Sequence, residues 1–249
     1  MTARLAHIVR HPLKAIGREE LNAIALSAGA WLPFDRLWAV AHANAKLDGG
    51  WGVKANFLRG VTEPALMAVT AHLDETRSAL TLDHPAAGRI EIRPDDAADT
   101  AVLLDWLGRL WPADLPAPTG IYRAADAHLT DVPDPWISIN ALSTLRAVEQ
   151  RAGAPLSMHR WRGNLWLDGL APWEEFDLLG RTLRIGEATV EVRERITRCK
   201  ATMANPETGR RDVDTLAALR SWDHQDFGVY ATVTSGGTIR TGDAVEILA

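Results

Sequence analysis

The sequence of 249 residues holds a single cysteine, Cys199. One thiol excludes an intrachain disulfide, a CxxC redox pair, a multi-cysteine zinc site and a Cys-ligated iron–sulfur cluster. Lysine is nearly as scarce. Lys14, Lys46, Lys54 and Lys200 are the only four, and every other basic side chain is arginine, whose planar fork suits phosphate and carboxylate. Tyrosine and phenylalanine number 2 and 4, against 10 tryptophans. There is no run of about 18 apolar residues to span a membrane, and the N-terminal MTARLAHIVRHPLKAIG, broken by Pro12, has no apolar signal core. With 32 acidic and 27 basic side chains the formal charge is -5, which opposes non-specific binding to nucleic acid or acidic membranes. GxGxxG, P-loop, GxSxG and HExxH patterns are missing, and the 8 histidines are scattered. The expectation is a cytoplasmic chain with neither a nucleic-acid nor a membrane partner.

What is present reads as many short strands and few helices. Apolar runs at 3–9, 20–26 and 36–42 are bounded by Pro12, Gly17, Pro33 and the Asn44–Gly50 turn cluster, and 66–73, 78–82 and 89–93 form a small meander. Leu103, Leu104, Leu107 and Leu110 make one stripe of a helix over 98–110. The following WPADLPAPTG, with three prolines and a glycine, predicts a boundary, hence parts 1–112 and 113–249 that could share strands. A helix is expected over 141–152, capped by Asn140 and stopped by Gly153, and a short one over 213–220. Residues 164–168, 181–197 and the tail from 228 read as extended. The fold class is therefore mainly β (α+β), a closed or partly closed barrel with an associated N-terminal β-rich part and a few peripheral helices.

Three clusters could carry chemistry. Cys199, in RITRCKAT, follows a strand on which Arg195 and Thr197 share its face, with Arg198 and Lys200 opposite. Cationic neighbours favour a thiolate, a metal ligand or nucleophile; the alternative is a small buried apolar residue. Lys14 in HPLKAIG and Arg36 in FDRLWAV could clamp a phosphate beside the Gly17 backbone, or be ordinary surface cations. Arg160, Arg162 and Asn164, flanked by Trp161 and Trp166, alternate as a pocket wall or an exposed strand would. Ser138 and Asn140 precede the 141–152 helix, where capping alone accounts for Asn140. A Cys199 pair with His159 or His224 has no supporting local signature.

These clusters together resemble the MOSC family (the molybdenum-cofactor sulfurase C-terminal domain) with its N-terminal β-rich companion, over residues 3 to 248. The likeness is greatest to the mitochondrial amidoxime-reducing component and its bacterial relatives. The family's Arg-Cys followed by T-x-x-x-P-x-T-G is matched by Cys199, Thr202, Pro206, Thr208 and Gly209. HPLKAIG is similar to its YPVKS-x-G, and FDRLWAV to its RDRxW-x-V. The resemblance implies that Cys199 ligates molybdenum, that Lys14 and Arg36 hold the phosphate of the molybdenum cofactor in its molybdopterin form, and that Arg162 and Asn164 contact it. It places Thr197 near the metal-binding cysteine, with Arg198 adjoining. Two departures stand out: Ala15 replaces the serine after the lysine, and VKANFLRG, around Lys54 and Asn56, replaces a Thr-Ala-Arg-Gln segment. The implied activity is reduction of a small N-hydroxylated substrate, with electrons from a separate redox protein. The alternative is a sulfur carrier bearing a persulfide on Cys199, served by a separate desulfurase, because the chain lacks the pyridoxal-phosphate desulfurase domain fused to some relatives.

Overall fold

The structure, a computed structural model, describes residues 3–248. The first strands are β1 (Arg4–Arg10), β2 (Glu19–Leu21), β3 (Ala23–Leu26) and β4 (Ala39–His42). Next come β5 (Thr70–Asp74), β6 (Ala79–His84), β7 (Gly88–Ile92), helix α1 (Ala97–Leu107) and β8 (Pro118–Tyr122). The second half runs β9 (Trp136–Ala141), α2 (Leu142–Ala152), β10 (Leu165–Asp168), β11 (Thr182–Ile185) and β12 (Ala188–Thr197). It ends with β13 (Ala204–Asn205), β14 (Arg210–Arg211), α3 (Thr215–Arg220), β15 (Asp226–Ser235), β16 (Gly237–Arg240) and β17 (Val245–Leu248).

The architecture is mainly β with few helices. Its centre is an eight-stranded mixed sheet in the order β17-β11-β12-β15-β9-β10-β1-β2. The pairing of β9 with β10 is parallel, which requires a crossover, and α2 with the loop after it supplies one. The sheet does not close into a full barrel. The start of β1 meets the chain just before β17 at an isolated bridge between Arg4 and Ala244, with Leu5 N donating to Asp243 O at 2.8 Å and Val245 N to Ala3 O at 2.8 Å. Alternation along β12 buries Ala188, Val190 and Val192, which join Leu5, Ile8, Leu165 and Val229 in one core. That core therefore takes β1 from the N-terminal segment.

A second core is built almost wholly from the first half. The meander β5-β6-β7 packs against α1, whose Leu103, Trp106 and Leu107 are buried with Trp38 and Leu66. Asp96 caps α1, accepting from Ala98 N. Three expectations are corrected here. Residues 64–68 form a 3-10 turn, not strand, because Pro64 opens it and the Glu63 side chain accepts from Ala65 N. The proline-rich connector ends in strand β8, which pairs antiparallel with β4 across some eighty residues of chain. Asn140 lies inside β9 and caps nothing: the N-cap of α2 is Ala141, without a side-chain bond, while Gly153 ends the helix with φ 68° as expected. Among the described residues no helix is long and apolar enough to cross a membrane.

Candidate functional site

A cleft of about 510 Å³ opens between the two cores, and its walls draw on both halves of the chain. The first half contributes Lys14, Ala15, Arg36 and Lys54, and the second Asp131, Arg162, Arg198 and Cys199. Thus the scattered motifs do converge. Three of the lining residues, Ala15, Arg36 and Arg162, hold left-handed backbone, at φ 62°, 49° and 49°. Non-glycine residues seldom adopt this conformation, and it persists only where surrounding contacts impose it.

Those contacts are visible. Arg36 N donates to His11 O at 2.7 Å. The Arg36 guanidinium pairs with Asp35 and donates to Arg162 O at 2.6 Å. Arg162 in turn reaches Gly17 O at 3.2 Å and Leu13 O at 3.4 Å. Lys14 is buried, its ammonium donating to Leu129 O at 2.7 Å and Asp131 Oδ1 at 2.6 Å. Gly17, at φ 77°, is held tightly, for a Cβ there would lie 2.8 Å from Ala71 Cβ.

Arg198 closes the far wall. Its Nε donates to Phe227 O at 2.8 Å, and its two terminal nitrogens to Trp161 O at 2.7 Å and Asn140 Oδ1 at 3.0 Å. The guanidinium also stands 5.8 Å from the Trp161 ring, which is stacked on Phe227 at 3.8 Å. Gly163 is required beside it, since a Cβ at that position would lie 1.9 Å from Asn140 Nδ2.

The cleft carries an excess of positive charge. Burial and the nearby Arg36 charge lower Arg162 to about 9, even though Asp35 opposes this. Burial lowers Arg198 to about 10. His11, fully buried beneath Arg36, is held well below its ordinary value by burial and by the Arg36 and Arg162 charges. Asp35 is driven far below the usual carboxylate range. Its burial works against ionisation, but the Arg36 charge and the His11 contact outweigh it. Among the described residues, Lys14 has Asp131 and Arg36 has Asp35, but Arg162 and Arg198 bond only to backbone carbonyls and one amide. A half-buried cation without a carboxylate partner is stabilised by an incoming anion.

Cys199 is exposed and opens onto this cleft. It caps a 3-10 turn, Lys200–Met203, and its carbonyl accepts from Thr202 N at 3.2 Å and Thr202 Oγ1 at 3.0 Å. Thr202 is fixed by the buried Thr215 hydroxyl at 2.6 Å. The turn and the β13–β14 hairpin lean on the first half of the chain, where Arg211 donates to Val61 O at 2.7 Å. Regular alternation does not reach Cys199, because the β12–β15 pairing is irregular between Val192 and Thr197. Arg195 instead lies over the Phe176 ring at 4.2 Å, and the Thr197 hydroxyl donates to Asp226 Oδ1 at 2.7 Å.

Asn164 lines the wall as a structural joint. Its Oδ1 accepts from Ser138 N and Oγ at 3.1 and 2.9 Å, and its Nδ2 donates to Val9 O at 3.2 Å. Lys54 stands exposed at the rim, whereas Asn56 lies outside the lining and grips the Lys46 backbone through Oδ1 and Nδ2 at 3.1 and 2.9 Å. Sequence reasoning did not single out Asp35, Asp131, Trp136 or Tyr230. Asp35 stood inside the FDRLWAV motif, but the other three carry no local signal. Trp136 and Tyr230 both line the cleft as a tilted pair with ring centroids 5.4 Å apart.

Residues 126–246 match the family model for the MOSC domain. The chain carries a MOSC domain. Cys199, Arg162 and Asp131 lie within the matched MOSC residues, and Lys14 and Arg36 lie before them. Among solved structures, YiiM from Geobacillus stearothermophilus is similar at 21% identity and TM-score 0.36, covering 45% of this chain and 54% of that one. The alignment thus spans about half the length of that YiiM chain. The YUAD protein from Bacillus subtilis is similar at 12% identity and TM-score 0.47, covering 99% and 96%. YiiM from Escherichia coli is similar at 16% identity and TM-score 0.34, covering 52% and 58%. No curated protein matched.

Proposed function

We propose that this MOSC chain binds the molybdenum cofactor in its molybdopterin form and reduces small N-hydroxylated compounds. The observation carrying the reading is the pairing of one exposed thiol, Cys199, with a cleft whose Arg162 and Arg198 have no carboxylate partner among the described residues. The donor set fits the group. Soft sulfur is the ligand type such a metal takes, and a phosphate dianion suits the cationic interior. In this reading Cys199 is the one ligand the protein would give the metal, and the cofactor would supply the others; among the described residues no three His, Cys, Asp or Glu side chains converge as a metal site.

In this reading Lys14, Arg36 and Arg162 hold the anionic tail, with Lys54 at the rim. Cys199 Sγ ligates the metal, and the Thr202–Thr215 contact fixes the turn that presents it. Arg198 and Thr197 shape the wall beside Cys199, and Asn164 keeps that wall joined to β1. Trp136 and Tyr230 offer the substrate an aromatic surface. The cofactor supplies the two-electron redox chemistry. The overall balance is R–NHOH + 2e⁻ + 2H⁺ → R–NH₂ + H₂O. A separate redox protein delivers the electrons, since one cysteine builds no cluster and no nucleotide motif is present. We place the chain in the reducing cytoplasm, as two parts divided near residue 112.

Anaerobic assay of the molybdenum-loaded chain with a reduced artificial donor is expected to show turnover of a hydroxylamine or an amidoxime. Loaded protein that turns over neither overturns the reductase assignment. The exposure of Cys199 favours the sulfur-carrier alternative, in which a separate desulfurase loads a persulfide on that thiol and a partner's thiolate takes its outer sulfur, with the Cys199 thiolate as leaving group. Mass spectrometry showing a stable persulfide on molybdenum-free protein is the result that would favour it.

A further inference from the structure

The ion pair at the cleft wall is unequal. The Lys14 side chain is 6% exposed, whereas that of its partner Asp131 is 51% exposed. A buried ammonium needs a counter-charge close by, and the half-exposed carboxylate facing it can turn into water once another anion takes its place at the ammonium. The backbone around Asp131 allows that turn. Leu129 is pinned by its N–H on Arg36 O at 2.7 Å, and Thr130 by the Trp51 Nε1 bond to its carbonyl at 3.2 Å. Thr130 Oγ1 also donates to Val132 O at 2.7 Å. Asp131 follows these anchors, in a segment between β8 and β9 with no ladder of its own. Leu129 O, the other acceptor of the Lys14 ammonium, stays in place whichever way Asp131 points.

Asp131 therefore occupies the Lys14 position that an anionic ligand would claim. We propose that Asp131 is a specificity-determining residue, an internal counter-anion that any ligand must displace from Lys14. This inference rests on the reading of the cleft as an anion site. Its consequence is selectivity by charge. With Asp131 in place, Lys14, Arg36 and Arg162 face two carboxylates, Asp35 and Asp131. Weak or singly charged anions fail to displace Asp131, while a dianionic group with several oxygens succeeds by engaging Arg36 and Arg162 at the same time. The same pairing keeps Lys14 from standing uncompensated before the ligand arrives.

The test uses inorganic phosphate as probe and the full chain, purified from a host unable to make molybdopterin, by calorimetry at constant ionic strength. Asp131→Asn keeps the shape and removes the competing charge, so its dissociation constant for phosphate is expected to fall by at least about tenfold. Asp131→Ala, checked for folding by circular dichroism, is expected to fall likewise. The gain should vanish when Lys14→Met is combined with Asp131→Asn, leaving the affinity of Lys14→Met alone. Phosphate binding to the wild type that is unchanged or weakened in both Asp131 variants overturns the proposal and leaves the anion site standing. So does a gain that persists without Lys14. Absence of phosphate binding by wild type and variants alike overturns the anion site and this proposal together.

Discussion

Arg198→Met is expected to lower the melting temperature by about 6–12 °C, corresponding to a loss on the order of 3 kcal/mol. The cause is the fan of three hydrogen bonds from one guanidinium to Phe227 O, Trp161 O and Asn140 Oδ1. These acceptors belong to β15, to the turn before β10 and to β9, so the side chain ties three stretches together just before Cys199. Methionine fills much of the space and satisfies none of them, and buried acceptors left without donors account for the cost. Arg198→Lys should recover only part of the loss, because a point ammonium lacks the planar fork needed to serve three acceptors. Urea unfolding of the three proteins checks this. Equal midpoints would show that the fan carries no stability.

Stability is also expected to fall by about 3 kcal/mol as pH rises from roughly 4.5 to above 7, through Glu175 alone. Glu175 is fully buried under α2. Burial pushes it up to about 7, against the opposing Thr144 hydrogen bond and with help from the Asp177 and Glu174 charges. Its Oε2 accepts from Thr144 Oγ1 at 2.7 Å, while Oε1 has no partner among the described residues. The sign follows from proton counting. Between the unfolded and folded values the native state holds the proton that the unfolded chain has released, so raising the pH favours unfolding. The contribution is complete below about 4.5 and gone above about 7. Glu175→Gln, which stays neutral, should flatten this part of the stability–pH curve and exceed the wild type at pH 8. Parallel curves for the two proteins would contradict the assignment.

The helices and the meander were legible because their signals are local. Leu145 and Val148 share a stripe, and Gly153 takes the left-handed stop that glycine alone adopts freely. Strand β8 was hidden because its partner β4 lies far away in sequence and its first residue is Pro118. Strand β9 was hidden because it is short, buried along nearly its whole length and joined directly to α2, so no alternation separates it from the helix. At the site, Lys14, Arg36, Arg162 and Cys199 came from motifs, and folding brings all four to one cleft. Asn56 came from a departure within a motif and sits elsewhere, holding Lys46. Asp131 was invisible because its meaning lies wholly in a contact with Lys14, 117 residues away.

The central claim is that the one thiol of this chain is the protein's ligand to molybdenum. It is tested most directly by measuring molybdenum and pterin per chain in wild type and Cys199→Ser, both expressed in a host that makes the cofactor. Cys199 is exposed, so serine should leave the fold intact. The wild type is expected to carry about one molybdenum per chain and the variant almost none, because a hydroxyl is a poor substitute for a soft thiolate. Equal molybdenum in the two proteins would contradict the claim.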